Sequence, residues 1–321
     1  MTKPKVMLTR ILPEKVMDEA NKLFDLTVRD TVIPMTEEEA IHSLEDYDAV
    51  VPTLGDDFNA SVYPTVKNLR CKILANFGAG YNHIDVSAAE ENSVVVTNTP
   101  GAVTDATADI GMSLILMTAR RTGEGERVVR AKQWTGWKPT EMLGAHVTGK
   151  TLGIIGMGNI GKAIAKRCQA GFGMKVIFFN RSRVADPGVE AAQLDSAEEV
   201  VSQANFVVIA VRGGPESYHL VDKDLLDSMH KDGILINISR GDVVDEKALI
   251  DALARNQIAG AGLDVYEFEP EVPDELIAME NVVLLPHLGT SVLEVREDMG
   301  MMVIENLKGF FADGNPPNRV V

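Results

Sequence analysis

Cysteine is nearly absent from this chain. It occurs only as Cys71 and Cys168, each inside an apolar segment. Two such residues build no disulfide framework, so a reducing, cytoplasmic setting is expected. Long apolar runs are missing as well. The best stretch, Ile110 to Ala119, falls short of the roughly 18 residues that signal a membrane span and reads as a buried helix. Met1-Thr2-Lys3-Pro4-Lys5 leads into a strand too short to be the apolar region of a signal peptide. Positive charge is in short supply, with 31 Lys and Arg against 47 Asp and Glu and a formal net charge of −16. That balance disfavours nucleic acid and anionic membranes as partners. Any anion site must therefore be built from local arginines and backbone N–H groups. No Cys/His cluster has the spacing of a metal site. Short-period repeats and low-complexity tracts are also absent.

What is present is ordinary for a globular enzyme-sized chain. A length of 321 residues accommodates two domains, and the 45% hydrophobic and 24% charged residues suffice to give each a core. The most informative stretch is Thr151 to Arg183. The apolar run Thr151-Leu152-Gly153-Ile154-Ile155 reads as a buried strand. Gly156-Met157-Gly158-Asn159-Ile160-Gly161 follows, then an amphipathic helix through Ala163, Ile164, Ala165 and Cys168, then a second strand from Met174 to Phe179. This is G-x-G-x-x-G inside a β-α-β frame, the context that points to dinucleotide binding. Gly156 allows the tight turn, Gly158 lets a pyrophosphate approach the backbone, and Gly161 lets the helix pack on the sheet. The N–H groups of the helix start face the phosphates.

The second strand ends in Asn180-Arg181-Ser182-Arg183, where NAD-specific sites usually carry an acidic residue. A carboxylate there would repel a 2′-phosphate, whereas Asn, Ser and two Arg offer it donors and positive charge. The stretch favours NADP(H), with NAD(H) still admissible.

The first hundred residues alternate strand and helix. Strands are expected at Lys5–Thr9, Leu26–Val28, Ala49–Pro52, Lys72–Ala75 and Val94–Thr97, and helices at Glu14–Phe24, Glu37–Leu44, Ser61–Asn68 and Val86–Glu91. Such alternation predicts a parallel sheet covered on both faces. The loop Asn76-Phe77-Gly78-Ala79-Gly80-Tyr81 directly follows a strand. Its amides could cradle an anion, and it could equally be a plain turn. Thr99-Pro100-Gly101 makes a hinge, and Thr104 is placed as the cap of a long apolar helix to about Arg120. A more polar helix, Glu124 to Gln133, leads to Trp134 and Trp137. These two indoles pack either on something outside the local fold, such as a second subunit or a substrate edge, or under a loop. After the glycine motif, further strands fall at Phe206–Val211, Ile234–Ile238, Ala261–Asp264 and Val282–Leu285, giving a doubly wound sheet of about six strands. A last helix spans Val292 to Phe311.

Ligands of doubly wound sheets bind beyond the carboxyl ends of the strands. Arg240, Asp264, Glu269 and His287 all lie there. Hydride transfer to a carbonyl carbon needs a proton for the oxygen, and histidine suits that role near neutral pH. A carboxylate on the other ring nitrogen fixes the tautomer and favours the protonated ring, and Glu269 is the candidate. Arg240 can polarise the carbonyl and grip an adjacent carboxylate. Of the other histidines, His42 and His230 are read on helices, His219 just before one and His146 in a loop, all as surface or satisfied core residues. His83 could line a cleft but shows no carboxylate to orient it.

The motifs Gly156–Gly161, Asn237-Ile238-Ser239-Arg240-Gly241-Asp242, Gly262-Leu263-Asp264-Val265-Tyr266-Glu267-Phe268-Glu269-Pro270 and Pro286-His287-Leu288-Gly289 together resemble the D-2-hydroxyacid dehydrogenase family over nearly the whole chain. The loop from Asn76 to Asp85 and the segment Trp134 to Pro139 are most similar to its glyoxylate/hydroxypyruvate reductase branch. The resemblance implies two doubly wound parallel-sheet domains with a cleft between them. One is a flavodoxin-like substrate domain, residues 1–100 plus 290–321, and the other a Rossmann NAD(P)-binding domain, residues 101–289. It implies that Arg240 binds substrate while Glu269 and His287 relay the proton. It places substrate contacts at Leu54, at the backbone of Ala79 and Gly80, and at Trp137 from a partner subunit in a homodimer formed around residues 104–134. It adds Thr107, Val211, Arg212, Ile238, Asp264, His287 and Gly289 to the cofactor contacts of the glycine motif and Asn180–Arg183.

Two departures from the family pattern stand out. Arg212-Gly213-Gly214-Pro215-Glu216-Ser217 replaces the family's usual Pro-Leu-Thr-Pro-Glu-Thr, so the threonine on the adenosine side is missing while Arg212 adds charge there. Asn180 replaces the usual acid. The resulting expectation is an NADPH-preferring reductase of glyoxylate and hydroxypyruvate. Reduction of bulkier 2-keto acids or of sugar acids comes next. Formate oxidation is disfavoured, because that branch carries Gln where Glu269 stands. A dinucleotide-sensing, corepressor-like binding protein is the alternative from another class, which a complete Arg–Glu–His set argues against.

Overall fold

The computed structural model describes residues 2–321. The chain folds into two compact units, Met1–Val103 with Ser291–Val321, and Thr104–Thr290.

In the first unit the strands are β1 (Lys5–Leu8), β2 (Asp25–Val28), β3 (Ala49–Val51), β4 (Ile73–Ala75) and β5 (Val95–Thr97). They form a parallel sheet in the order β2-β1-β3-β4-β5. This is the flavodoxin-like order, whose switch point lies between β1 and β3. Side chains alternate between faces as the pleat requires. Val6, Leu8, Val51 and Ile73 pack with Val303, Ile304 and Leu307 of the C-terminal helix, Leu293–Asp313. Met7, Val50, Leu74 and Val96 pack on the other face with Ala40, Leu44 and Phe58. The last residues then return to β5, where Val320 N donates to Val96 O at 2.8 Å. Residues from both chain ends thus complete one core.

The second unit holds β6 (Thr151–Ile155), β7 (Lys175–Phe179), β8 (Ala191–Gln193), β9 (Phe206–Ile209), β10 (Ile234–Asn237), β11 (Gly260–Leu263) and β12 (Val282–Leu284). Its order is β12-β11-β10-β9-β6-β7-β8, all parallel. After α1 (Glu14–Leu23), α2 (Glu37–Asp46) and α3 (Val86–Glu91) of the first unit, the helices here are α4 (Thr104–Ala119), α5 (Thr122–Arg130), α6 (Asn159–Phe172), α7 (Ala197–Gln203), α8 (Lys223–Asp227), α9 (Glu246–Ala254) and α10 (Asp274–Ala278). α4 and α6 cover one face of the sheet and α7 to α9 the other. Leu152, Ile154, Phe178 and Phe206 are at most 1% exposed. Burying each such side chain stabilises the unit by roughly 1.5–3 kcal/mol.

Cys71 and Cys168 are free and fully buried, one in each unit. Burial pushes each thiol up to about 12. They are core residues with negligible thiolate.

Three expectations need correcting. The helix expected over residues 61–68 is only a 3₁₀ turn, Tyr63–Thr65, with Pro64 near its start. Asn59 Oδ1 accepts from both the N–H and the hydroxyl of Ser61, which fixes a turn where a helix would begin. The second sheet has seven strands, not about six. The addition, β8, is a short and partly exposed edge whose Ala-Ala-Gln sequence carries no apolar–polar alternation. His230 lies beyond α8, where its Nδ1 accepts from Asp232 N.

Candidate active site

The second unit carries the glycine motif and the polar residues expected to do chemistry. The motif connects β6 to α6. Gly156 has φ +100°, and a Cβ there would come within 2.7 Å of Ala210 O. A Cβ on Gly161 would come within 2.3 Å of Gly156 O, so the helix start can approach the turn only as glycine. Gly158 differs: nothing lies within 4 Å of where its Cβ would be. Open space and the unpaired first-turn N–H groups of α6 are what a pyrophosphate requires.

Asn180, just past β7, is tied back to this loop. Its Oδ1 accepts from Met157 N at 3.2 Å, and its Nδ2 donates to Ser182 O at 3.0 Å. Arg181 forms an ion pair with Glu216. Arg183 and Arg212 are exposed and make no ion pair among the described residues.

Arg240 follows β10 on a turn built by its neighbours. Asn237 Nδ2 donates to Arg240 O at 2.9 Å, and Asn237 Oδ1 accepts from Ser239 N at 3.0 Å. Ser239 Oγ donates to Val211 O at 2.5 Å. Arg240 Nη1 donates to Ser239 O at 2.7 Å. Burial draws the guanidinium pKa below its ordinary value, and the charges of Glu269 and Asp242 oppose that. One glycine makes room for this side chain and a second for the turn beside it. A Cβ on Gly213 would sit 2.6 Å from Arg240 Cγ, and one on Gly241 only 1.8 Å from the Tyr266 backbone. Sequence reasoning attached no role to either.

His287 follows β12 and stands next to two carboxylates. Its Nδ1 lies 2.8 Å from Glu269 Oε2, and Glu269 Oε1 accepts from Tyr266 N at 3.0 Å. Glu269 is thereby fixed by the backbone on one side and the imidazole on the other. His287 has φ +52°, a left-handed conformation uncommon outside glycine. Asp264 holds that turn. Its carbonyl accepts from His287 N at 3.0 Å, and its carboxylate accepts from Leu288 N at 2.6 Å and Gly289 N at 2.9 Å. Burial raises the Asp264 pKa, and the two N–H groups work against the rise. Thr107 Oγ1, from α4, donates to Gly289 O at 3.2 Å. Asp264 and Thr107 therefore brace the histidine turn. Ile238 is buried directly after β10, and Val211 follows β9. With Nδ1 committed to Glu269, Nε2 is the nitrogen left to meet a substrate.

A second histidine–carboxylate pair was not foreseen. His219 Nε2 lies 2.9 Å from Glu267 Oε1, and Glu267 exchanges long hydrogen bonds with the backbone of Glu246 and the reverse, at 3.3 and 3.4 Å. These contacts tie the turn carrying Glu269 to the start of α9. Only the tertiary contact reveals them, because Glu267 lies 48 residues from His219 along the chain.

The remaining expected contacts lie elsewhere. Leu54, 45% exposed, is on a turn of the first unit where Asp56 accepts from Thr53 N and Met35 N. Ala79 and Gly80 are partly exposed on the turn after β4. Trp134 and Trp137 are 66% and 80% exposed, so burial under a loop of the same chain is ruled out for both. Among the described residues no group of His, Cys, Asp and Glu could hold a metal ion, and no helix is long and apolar enough to cross a membrane.

Residues 112–289 match the family model for the D-isomer specific 2-hydroxyacid dehydrogenase NAD-binding domain. Glyoxylate reductase of Pyrococcus horikoshii is 41% identical over 323 aligned positions, spanning 99% of this chain and 96% of the relative. Protein TT0316 of Thermus thermophilus superimposes with a TM-score of 0.91 at 36% identity, over 99% of this chain and all of that one. The NADPH-dependent glyoxylate/hydroxypyruvate reductase of Sinorhizobium meliloti, solved with NADP and malonate, gives a TM-score of 0.88 at 30% identity, over 100% and 97% of the two chains.

Proposed function

Because the chain belongs to the D-2-hydroxyacid dehydrogenase family, in its glyoxylate reductase branch, we propose that it reduces glyoxylate and hydroxypyruvate with His287 as the proton donor and NADPH as the preferred reductant. The observation that carries this reading is the 2.8 Å His287–Glu269 bond, which leaves Nε2 as the reacting nitrogen.

The glycine loop fits a dinucleotide, since Gly158 is open where a phosphate would lie and α6 begins there. When bound, a reduced nicotinamide supplies the hydride. The chain's own residues handle the remaining charge. As the carbonyl oxygen gains negative charge, His287 Nε2 gives it a proton, and Glu269 stabilises the imidazolium that makes this possible. Arg240 holds the keto acid and polarises its carbonyl. Asp264, Thr107 and Gly289 keep the histidine turn in place.

The NADPH preference is supported by Asn180, which takes the place of an acid, and by Arg183 and Arg212, which are free of competing carboxylates among the described residues. Pairing with Glu216 makes Arg181 the weaker contributor. The test is cofactor oxidation with glyoxylate, hydroxypyruvate, pyruvate and phenylpyruvate, run with NADPH and again with NADH. Fast turnover of the two small acids with NADPH is expected. Turnover of phenylpyruvate alone would overturn the substrate assignment, and equal kcat/KM with NADH would overturn the cofactor assignment.

We also assign a homodimer in which Trp137 reaches the partner's site. Support comes from the arm over residues 131–146, exposed throughout, which offers Trp134, Trp137 and Leu143 to solvent. Light scattering should then give twice the 34.8 kDa chain mass. A monomer at micromolar concentration would refute the assignment. The free, buried thiols agree with a cytoplasmic location.

A further inference from the structure

The turn after β4 has three successive carbonyls held by side chains or backbone of the first unit. Asn76 is fully buried, and its Nδ2 donates to Gly78 O at 3.0 Å and to Gly80 O at 2.9 Å. Asn98 Nδ2 donates to Ala79 O at 2.8 Å. Thr99 N adds a second bond to Gly78 O at 3.0 Å. Three successive carbonyls are thus satisfied by amide donors.

The orientation of the Asn76 amide follows from this pattern. Both Nδ2 protons go to carbonyls, so Oδ1 is the acceptor; the flipped amide would set oxygen against oxygen. His83 Nε2 lies 3.0 Å from that Oδ1 and must carry the proton between them. Asn98 is anchored as well. Asn306 Nδ2, from the C-terminal helix, donates to Asn98 O at 3.1 Å, and Asn98 N donates to Asn318 O at 3.2 Å.

A trans peptide points its N–H opposite to its C=O. Holding the carbonyls of Gly78, Ala79 and Gly80 therefore turns the N–H groups of Ala79, Gly80 and Tyr81 the other way. None of the three donates to a protein acceptor among the described residues, and all three residues are partly exposed. A run of outward N–H groups with no outward carbonyl among them attracts an anion. We propose that Asn76 and Asn98, with His83 fixing the Asn76 amide, are positioning residues that set this turn to receive the carboxylate of the keto acid. The inference rests on the keto-acid reductase reading above.

The clamp acts on the carboxylate alone, so its effect must depend on whether the substrate has one. Asn98→Ala and Asn76→Asp, the latter placing a carboxylate against two carbonyls, are compared with the wild-type protein using glyoxylate and methylglyoxal, which lacks the carboxylate. Losing one oriented amide to a charged group should raise KM for glyoxylate about tenfold. The ratio of kcat/KM for glyoxylate to that for methylglyoxal should fall by the same factor, with the NADPH dissociation constant unchanged. His83→Ala should act in the same direction, and His83→Gln, which keeps an N–H donor, should recover most of the loss. An unchanged ratio in both asparagine variants would overturn the proposal. So would an equal loss for both substrates, which is what a merely structural role would give. Should Asn76→Asp fail to fold, Asn98→Ala carries the test. Should the wild-type protein reduce no keto acid at all, the reductase reading fails by itself. The clamp is then judged from oxalate binding to the NADPH-loaded protein: weakening by about tenfold in Asn98→Ala supports it, and unchanged affinity overturns it.

Discussion

Replacing His287 with alanine should lower kcat for glyoxylate by about two to four orders of magnitude, the usual worth of a positioned general acid. The reason lies in how the ring is held. Glu269 occupies Nδ1 at 2.8 Å, and Asp264 fixes the backbone through His287 N, Leu288 N and Gly289 N. Alanine removes the proton and leaves that frame standing. The NADPH dissociation constant should therefore stay within about threefold of wild type, a change below 1 kcal/mol. Glu269→Gln gives the companion result, because an amide still orients the ring without its charge, so its loss should be smaller than that of His287→Ala. Stopped-flow turnover alongside fluorescence titration of NADPH separates the two quantities. Weakened cofactor binding with kcat preserved would remove His287 from the proton step.

Arg240→Lys should reduce kcat/KM for glyoxylate by about two to three orders of magnitude although the formal charge is kept, the scale seen when an oriented donor to a developing oxyanion is lost. The Arg240 stem runs past Gly213, and its Nη1 is bound to Ser239 O at 2.7 Å. A lysine has no planar fork to hold this backbone contact and grip a substrate at once. Both Gly213 and Gly241 lack side chains where a Cβ would collide with Arg240 or with the turn that carries Glu269. The Gly213 backbone thus leaves space for the arginine stem. Steady-state kinetics of the variant check this, and added guanidinium ion should restore part of the activity of Arg240→Ala. Kinetics like those of wild type in the lysine variant would show that Arg240 does not touch the keto acid.

Much of this was legible in one dimension because the signals are local or follow a fixed rule. The glycine motif needs only its flanking strands, and here it does join β6 to α6. Arg240, Asp264 and His287 are legible as polar residues at strand ends, a rule that works because β10, β11 and β12 are parallel neighbours. The helix expected around Tyr63 gives way to a turn because Pro64 and Asn59 constrain the backbone there. The edge strand β8 leaves no signal because three residues of sequence Ala-Ala-Gln carry no apolar–polar alternation.

The sequence by itself determined the parallel-sheet class, the dinucleotide loop and the chemical types available for proton transfer. Each depends on short-range spacing or on the identity of a single side chain. The tertiary structure alone decided which carboxylate pairs with which histidine, Glu269 with His287 and Glu267 with His219. It also decided that Asp264 braces a turn, that Glu216 partly neutralises Arg181, and that Asn76 and Asn98 hold three successive carbonyls of the turn after β4. The physical reason is the same throughout. A hydrogen bond requires two heavy atoms within about 3 Å and in line, and residues distant in sequence meet that condition only once the packing of sheets and helices has fixed the backbone.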